Sequence, residues 1–221
     1  MTAVAIDGPA GAGKSTIARS VAKELGFIYV DTGALYRAIG LHALQNGADP
    51  KVQEEVGPLL CGLSVRLCFV EGEQRVLLNG EDVSEQIRTP EVSMAASGVS
   101  ALKVVREFLF ELQQSMAKEN NVVMDGRDIG TVVLPNTQVK IFLTATPEER
   151  ARRRHRELLE KGAQVSYGEV LADLRKRDYD DSHRAIAPLK PAPDAVVVNT
   201  TTLNLQESIQ LLLGIIRGKL K

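Results

Sequence analysis

The sequence predicts an α/β fold in which helices cover both faces of a parallel sheet, with a small antiparallel insert. Short apolar segments typical of buried strands alternate along the chain with segments of helical periodicity. Glycines or charged residues follow several of these strands directly, as in sheets that bind ligands at the carboxyl ends of their strands. Residues 63–69 show the period of two that is typical of antiparallel strands. At 221 residues, the chain is long enough for one large domain over 1–221 and too short for two independent enzymatic domains.

The alternation predicts the following strands and helices. The first strand begins at Ala3, and the first helix carries apolar residues from Ile17 to Leu25 before Gly26 ends it. Later helices are marked by a capping residue, by proline at the first helical position, or by glutamate three residues after the cap. The further parallel strands are predicted at 27–30, 121–124, 139–143 and 195–198, and the further helices at 34–46, beyond Pro50, and at 90–97, 101–118, 147–161, 166–184 and from 204 onward.

The antiparallel insert is predicted at about residues 61–97. Apolar residues alternate with polar ones from Leu63 to Phe69, and a turn at 71–73 leads to a second strand at 75–78. Asn79-Gly80 is a strong hairpin-turn signal. Because the chain alternates strand and helix elsewhere, this patch is expected to be inserted into the parallel core.

Composition and charge argue against several classes of function. A formal net charge of −1 disfavours general binding to nucleic acid or to an anionic membrane, and an aromatic content of 4% disfavours a platform for stacking bases. No apolar segment approaches the roughly 20 residues that span a bilayer, and the N-terminus leads into a strand without a charged leader region. We therefore expect a cytoplasmic monomer without nucleic-acid or membrane partners.

The two cysteines, Cys61 and Cys68, lie in apolar surroundings. We expect buried free thiols in a reducing compartment rather than a disulfide or a metal site. Because no C-x-x-C or H-x-x-x-H spacing occurs, the sequence predicts no structural zinc.

A phosphate-binding loop is predicted between the first strand and the first helix. The segment Gly8-Pro9-Ala10-Gly11-Ala12-Gly13-Lys14-Ser15-Thr16 matches G-x-x-x-x-G-K-S. Its glycines can adopt backbone angles closed to other residues, so successive N–H groups can point into one nest at the positive end of the helix. Lys14 is expected to reach the β- and γ-phosphates of a nucleoside triphosphate, and the Ser15 hydroxyl to be a Mg²⁺ ligand. A glycine-rich turn that matches by chance is the alternative.

Two further strand ends carry charged residues that a ligand would explain. Asp31-Thr32-Gly33 follows the second strand, with Thr32 placed to cap the next helix and Arg37 shortly after it. The segment from Asp125 through Arg127 to Asp128 ends a buried strand, where unpaired charges are unfavourable. An ordinary cap with a surface arginine remains an alternative at the first site.

Arginines are dense in two later helices. Residues 150, 152, 153, 154 and 156 occupy all sides of one helix, which fits a solvated helix, a nucleic-acid patch or a mobile lid over a triphosphate. Arg177, Asp181 and Arg184 share one helical face, which a salt-bridged stripe explains equally well. Phosphoryl transfer gives a reason for many arginines, because guanidinium groups bind phosphate oxygens in pairs and stay charged. The three histidines are scattered, and no Ser-His-Asp or Cys-His arrangement is apparent.

Together these motifs resemble the bacterial cytidylate kinase family, within the nucleoside monophosphate kinases that have a P-loop kinase fold. The resemblance covers nearly the whole chain in order. It rests on the glycine loop and on the segments Asp31–Arg37, Ile87–Thr89, Asp125–Val133 and Arg184–Leu189.

The resemblance implies transfer of the γ-phosphoryl group of ATP to CMP or dCMP, with Mg²⁺, by in-line transfer stabilised by Lys14, the metal and clustered arginines. It makes the 61–97 insert a monophosphate-binding segment and about 150–184 an arginine-rich lid with the following helix. Lys14, Arg127 and Arg184 become candidate catalytic residues. Ser15 replaces a glycine of some members, and Thr32 replaces a serine of others. The implied acceptor site comprises Arg37, Arg127 and Arg184 at the phosphate, Ser97, Arg106 and Asp128 at the cytosine, Arg177 and Asp181 at the sugar, and Thr32 and Asp125 nearby, with Arg152, Arg153 and Arg156 in the lid.

From the residues alone, the prediction is a P-loop kinase with an arginine-lined site for a small anionic acceptor. Two alternatives remain open. Another small-molecule P-loop kinase would use a different nucleotide or a small anionic metabolite. A nucleotide-switch or RNA-binding module would use the arginine helix to bind a polyanion, with steep salt dependence.

Overall fold

The computed structural model describes residues 1–160 and 162–220. Its strands are β1 (Ala3–Asp7), β2 (Ile28–Asp31), β3 (Val65–Val70), β4 (Glu73–Leu78), β5 (Glu81–Asp82), β6 (Val122–Gly126), β7 (Val139–Thr144) and β8 (Val196–Asn199). Its helices are α1 (Lys14–Leu25), α2 (Thr32–Gln45), α3 (Gln53–Leu59), α4 (Pro90–Val99), α5 (Lys103–Glu119), α6 (Pro147–Glu160), α7 (Tyr167–His183) and α8 (Leu205–Lys219). The predicted end of α6, Lys161, lies outside the described residues.

The central sheet has five strands in the order β2-β6-β1-β7-β8, and all its neighbouring pairs are parallel. Asp7 is aligned with Gly126 on one side and with Phe142 on the other, so the strands end at one edge. Since β1 is central, the loop that follows it lies between the ends of β6 and β7. This register places the predicted phosphate loop beside the charged segment after β6.

Helices cover both faces of the central sheet, because successive strand residues point to opposite sides. On one face, Val4 and Ile6 pack in a cluster with α1 and α8, which contribute Ile17, Leu212 and others. On the other face, Ala5 and Met124 pack with Ala117 of α5. The predicted α/β class with helices on both faces is confirmed.

The insert forms a second, antiparallel sheet in the order β3-β4-β5. Val65, Val76 and Leu78 turn inward into a cluster shared with Leu35 of α2 and Leu109 of α5. Gln74 of β4 provides a polar link to the central sheet: its side chain accepts from the Asp31 N–H at 2.9 Å and donates to the Asp31 carbonyl at 3.2 Å. The hairpin is thereby attached to the carboxyl end of β2.

Most of the predicted helix ends are confirmed, whereas the predicted burial of the cysteines is not. The Ser166 and Asn204 capping boxes are present, and Gly26 ends α1 in the left-handed conformation. The predicted burial of both thiols is wrong. Cys61 is exposed because it lies in the turn after α3, and Cys68 is only half-buried on the small sheet; both are free.

No helix within 1–160 or 162–220 has both the length and the apolar character that crossing a membrane requires.

Candidate active site

The phosphate loop has the backbone geometry that its glycines predict. Gly8 has φ of 149°, and a Cβ there would lie 1.9 Å from the Leu143 carbonyl oxygen, so no side chain fits. Gly11 and Gly13 have φ of 71° and 84°, which is the left-handed region. The loop ends at the N-terminus of α1, whose N–H groups and dipole favour an anion.

Lys14 is buried at the base of this loop, and its Nζ donates to the Pro9 carbonyl at 2.8 Å. Burial, and next the positive Arg127, lower the pKa of Lys14 to about 7. The nearby carboxylates of Asp125 and Asp7 only partly offset these effects. An anionic ligand at Lys14 would therefore stabilise its ammonium form.

Asp125, on β6, lies beside Lys14 and accepts two side-chain hydrogen bonds. Ser15 Oγ donates to its Oδ2 at 2.8 Å and Tyr29 Oη to its Oδ1 at 3.2 Å. Burial, and next the negative charge of Asp31, raise the pKa of Asp125 to about 6. The carboxyl group is thus poised to respond to a cation placed next to it.

A magnesium ion would fit the Ser15 and Asp125 oxygens. Mg²⁺ keeps several waters and takes one or two protein oxygens together with substrate phosphates. In the described part of the chain, no cluster of three or more His, Cys, Asp or Glu residues forms an all-protein cage. A hydroxyl and a carboxylate beside a phosphate loop therefore suit a metal bound chiefly through the nucleotide.

At the end of β2, the predicted cap is replaced by its neighbour. Asp31, not Thr32, caps α2: its Oδ1 accepts from the Ala34 N–H at 3.0 Å. Thr32 is already the first helical residue, and its hydroxyl donates to the Asp125 carbonyl at 2.8 Å, which joins β2 to β6. Arg37 Nη2 donates to Asp31 Oδ2 at 2.6 Å, while its Nε is buried without a hydrogen-bond partner among the described residues.

After the end of β6, Arg127 and Asp128 each have a partner of opposite sign. Arg127 Nε donates to Asp181 Oδ2 on α7 at 2.9 Å. Asp128 is only 4% exposed and lies between two guanidinium groups. Its Oδ2 accepts from Arg106 on α5, and its Oδ1 from Arg184 at 3.4 Å. Arg127 and Asp128 therefore belong to two separate ion-pair groups, Arg127–Asp181 and Arg106–Asp128–Arg184.

Asp7 holds the backbone of the segment after β6 in place. Its two carboxylate oxygens accept from the Ile129 and Gly130 N–H groups, each at 2.8 Å. Burial raises the pKa of Asp7 to about 6, although the two backbone hydrogen bonds oppose the shift. The last residue before the phosphate loop thus anchors the segment that carries Arg127 and Asp128.

Arg177 on α7 shares one feature with Arg37. Its Nε is buried and has no hydrogen-bond partner within the described chain. Burial, and next the positive Arg127, lower the pKa of Arg177, and the negative Asp181 opposes them. A buried guanidinium beside a second one is a favourable position for an anion.

The phosphate loop and the arginine network line one cavity of about 1000 Å³. Gly8 and Pro9 are not among the residues that line it. Arg37, Arg127 and Arg184, from three separate parts of the chain, face the cavity that Lys14 also lines. The predicted site residues that line it are Ala10, Gly11, Ala12, Gly13, Lys14, Ser15, Thr16, Thr32, Arg37, Ser97, Arg106, Asp125, Arg127, Asp128, Arg177, Asp181 and Arg184, with Arg153 and Arg156 from the predicted lid.

Comparison with known proteins places the chain in a family. The family model described as cytidylate kinase matches residues 4–218. The chain belongs to the cytidylate kinase family. The cytidylate kinase of Caldicellulosiruptor bescii is 52% identical over 210 residues, covering 95% of this chain and 93% of that protein. The cytidylate kinase of Pasteurella multocida is 44% identical over 217 residues, covering 98% and 96%.

Membership of the cytidylate kinase family makes the protein a nucleoside monophosphate kinase, and it implies ATP as the cosubstrate. The fold is that of a P-loop kinase, as the sequence predicts. An uncharacterised protein from Eubacterium ventriosum, 10% identical, aligns with a TM-score of 0.50 over 98% of this chain and 99% of its own length. At that identity the likeness concerns the fold alone.

In this kinase the arginines of α6 have different environments. Arg153, Arg154 and Arg156 line the cavity, but Arg152 does not: its side chain is 62% exposed and pairs with Glu149. Arg153 is already engaged, donating to the Thr200 carbonyl at 2.7 Å and to Glu149 at 2.9 Å. Arg150 is buried and faces the phosphate loop.

Several residues of the kinase site are missing from the sequence prediction. Tyr36 and Arg88 line the cavity, and the Arg106 guanidinium lies 5.8 Å from the Tyr36 ring centroid. Both residues fall inside the motifs that carry the family resemblance, so the motifs themselves contained the signal. Asp7 and Gln74 carried no such signal, because their partners are distant in the sequence.

Proposed function

We propose that this kinase transfers the γ-phosphoryl group of ATP to CMP or dCMP, giving ADP and the diphosphate. One observation carries the proposal: guanidinium groups from separate strands and helices line the same cavity as the phosphate loop. A loop alone accounts for ATP, whereas the gathered arginines account for a second, smaller anion. The proposal also treats residues 1–221 as one catalytic domain.

The acceptor phosphate is assigned to Arg37, Arg127 and Arg184. Without an acceptor, Arg37 is paired with Asp31 and Arg127 with Asp181. A phosphate dianion offers oxygens that accept from several guanidinium forks at once, so it can compete for these donors. The carboxylate pairs keep the arginines compatible with burial until the acceptor arrives.

The base and the sugar are assigned to neighbouring groups. Arg106 and Arg184 fix the orientation of the Asp128 carboxylate, whose remaining lone pairs can accept from the exocyclic amino group of cytosine. Uracil has a carbonyl at that position and would face a carboxylate unfavourably. Ser97 lines the same wall of the cavity, and Arg177 and Asp181 are assigned to the sugar.

The transfer itself needs positioning and charge stabilisation more than proton transfer. The acceptor oxygen is anionic at neutral pH, so no dedicated base is required, and negative charge spreads over the moving group. Lys14, Arg127 and Arg184 are the groups assigned to that charge. Ser15 and Asp125 would hold Mg²⁺, which neutralises charge on the triphosphate when it is bound.

A substrate panel tests the proposal. Purified protein with ATP and Mg²⁺ is assayed against CMP, dCMP, UMP, AMP, dTMP and shikimate, with ADP release as the readout. We expect kcat/KM for CMP or dCMP to exceed that for UMP by at least about tenfold, since a mispaired polar group in a closed site costs more than about 1.4 kcal/mol. A preference for AMP, dTMP or shikimate would contradict the proposal. Light scattering at the assay concentration tests whether the protein is a monomer, as the sequence predicts.

A further inference from the structure

Arg150 is the buried arginine of an otherwise partly solvated helix, and it makes contacts that none of the assigned substrate roles uses. It is 3% exposed. Its Nε donates to the Ala145 carbonyl at 2.9 Å, and its Nη1 donates to the Ala10 carbonyl of the phosphate loop at 2.9 Å. Both terminal nitrogens also reach Asp178 of α7, at 3.1 and 2.6 Å. One guanidinium thus joins α6, the phosphate loop and α7.

Close packing surrounds these hydrogen bonds. A Cβ at Gly11 would lie 3.4 Å from Arg150 Cβ and 3.6 Å from Leu174 Cδ2. Ala10, Ala151 and Leu174 belong to one buried apolar cluster. Because dense packing transmits displacement, the loop cannot shift without moving the start of α6 or the middle of α7.

The part of α7 held by Arg150 is adjacent to its acceptor-side groups. Asp178 follows Arg177 directly and precedes Asp181 by about one helical turn, and Asp181 accepts from Arg127. A rigid helix therefore carries the loop contact at one position and acceptor-side contacts at its neighbours. Helix α7 therefore contacts both the phosphate loop and the proposed acceptor subsite.

We propose that Arg150 and Asp178 form a positioning pair that sets α7 against the phosphate loop, so that a nucleotide in the loop orders the acceptor-side groups. The assignment of those groups to the acceptor rests on the proposed function. Arginine suits the position because its fork reaches a carbonyl and a carboxylate together, whereas a lysine amine provides no planar, two-sided donor set. Removing Asp178 would leave the buried Arg150 without a carboxylate, and removing Arg150 would leave the partly buried Asp178 without its ion-pair partner.

The experiment compares Arg150→Lys, Arg150→Met and Asp178→Asn with the wild type, and uses Arg175→Met as the matched control. Arg175 also joins α7 to α6, through Glu148 at 2.8 Å, but this pair is exposed and does not touch the loop. Two readouts are taken: steady-state kcat and KM for ATP and CMP, and hydrogen exchange of residues 174–181 with and without the β,γ-imido analogue of ATP.

We expect Arg150→Met and Asp178→Asn to lower kcat about 10²-fold, the effect of misplacing a reacting group by about 1 Å, with KM for ATP changed less than about threefold. The kcat of Arg150→Lys should lie between the kcat of these two variants and that of the wild type. The ATP analogue should protect residues 174–181 in the wild type and in Arg175→Met, and this protection should be lost in the other variants.

Two results would contradict the proposed positioning role of Arg150 and Asp178. Asp178→Asn with wild-type kcat and intact nucleotide-induced protection would reduce the pair to a structural bridge, even if its melting temperature fell. A loss confined to ATP affinity would place Arg150 in the ATP subsite instead. If Arg150→Met does not fold, Asp178→Asn decides, since its side chain is isosteric. If the wild type fails to use CMP but keeps analogue-induced protection that Asp178→Asn lacks, the proposed function fails and the pair stands.

Discussion

The two walls of the cavity are built in opposite ways. The phosphate loop is contiguous, and its geometry depends on backbone angles at Gly8, Gly11 and Gly13. The proposed acceptor wall consists of Arg37 of α2, Arg106 of α5, Arg127 and Asp128 after β6, and Arg177, Asp181 and Arg184 in and just after α7. Carboxylates neutralise most of its arginines. The first wall is therefore determined largely by one contiguous segment of sequence. The second wall forms only when folding brings distant segments together.

The charged side chains of the two walls also have different electrostatic environments. At the loop, burial disfavours the charged form of Lys14, so charge is completed by the arriving phosphates. At the proposed acceptor wall, Asp181 pairs with Arg127 and Asp31 pairs with Arg37, so each guanidinium already has a counter-ion. Variants of the two walls should consequently fail in different ways.

The largest effect is expected at the loop. Lys14→Met removes the ammonium group and should lower kcat by at least about 10³-fold while the fold persists, because the side chain serves phosphates rather than packing alone. A coupled assay of ADP release measures kcat, and circular dichroism shows whether the fold persists. Near wild-type turnover would contradict the role of Lys14.

Arg127→Met should come next, with a loss of about 10³-fold in kcat/KM for CMP and retained binding of the ATP analogue. The methionine keeps bulk but leaves Asp181 without its partner, so thermal stability should also fall. Calorimetric titration with the analogue separates the two walls. An unaltered rate would mean that the β6 segment is structural only.

A smaller effect should follow from detaching the insert. Gln74→Ala removes both hydrogen bonds to Asp31, which together are worth about 1–3 kcal/mol. If about half of this energy is lost from the acceptor site, KM for CMP should rise about three- to tenfold, with KM for ATP unchanged. The matched control is Glu73→Ala, whose exposed contact with Arg19 at 3.8 Å also joins the insert to the core. Equal KM values in both variants would show that the Gln74 link does not position the acceptor wall.

The smallest measurable effect concerns a proton. Before ATP binds, the pKa of Lys14 in the folded protein is about 7, so its side chain is mostly neutral at pH 8. The phosphates of ATP raise this pKa. At pH 8, ATP binding should therefore be accompanied by the uptake of nearly one proton. Titration calorimetry in phosphate and in Tris should give enthalpies that differ accordingly, and Lys14→Met should remove the difference. Uptake that persists in the variant would assign the proton elsewhere.

The same pKa has a consequence for stability. In the unfolded chain lysine titrates near 10.4, so between about pH 7 and pH 10 the unfolded state binds more protons than the folded one at this group. The contribution of Lys14 to the free energy of unfolding should therefore rise with pH across that window.

The sequence predicted most of the fold, and it did so where the signal is local. Strand and helix order, the insert and the capping boxes at Ser166 and Asn204 depend on periodicity and on residues a few positions apart. The errors came where tertiary structure decides. Whether Asp31 or Thr32 caps α2 depends on the Asp125 carbonyl, to which Thr32 donates.

The candidate site shows the same limit. The loop could be predicted in full from its spacing, while the grouping of Arg37, Arg106 and Arg184 came from family resemblance. Nothing in the spacing of α6 distinguishes buried Arg150 from exposed Arg152, because their difference depends on Asp178 and the Ala10 carbonyl. Side-chain partners set by the packing of distant segments are invisible to periodicity.

Asp7 links the backbones of the two walls. Its carboxylate supplies both acceptors for the Ile129 and Gly130 amides, and a Cβ at Gly130 would come within 3.3 Å of it. A redesign of the segment after β6 for another nucleobase would have to keep both N–H groups within reach of Asp7. Acceptor choice is therefore easiest to change through side chains that line the cavity, because their replacement leaves this backbone where it is.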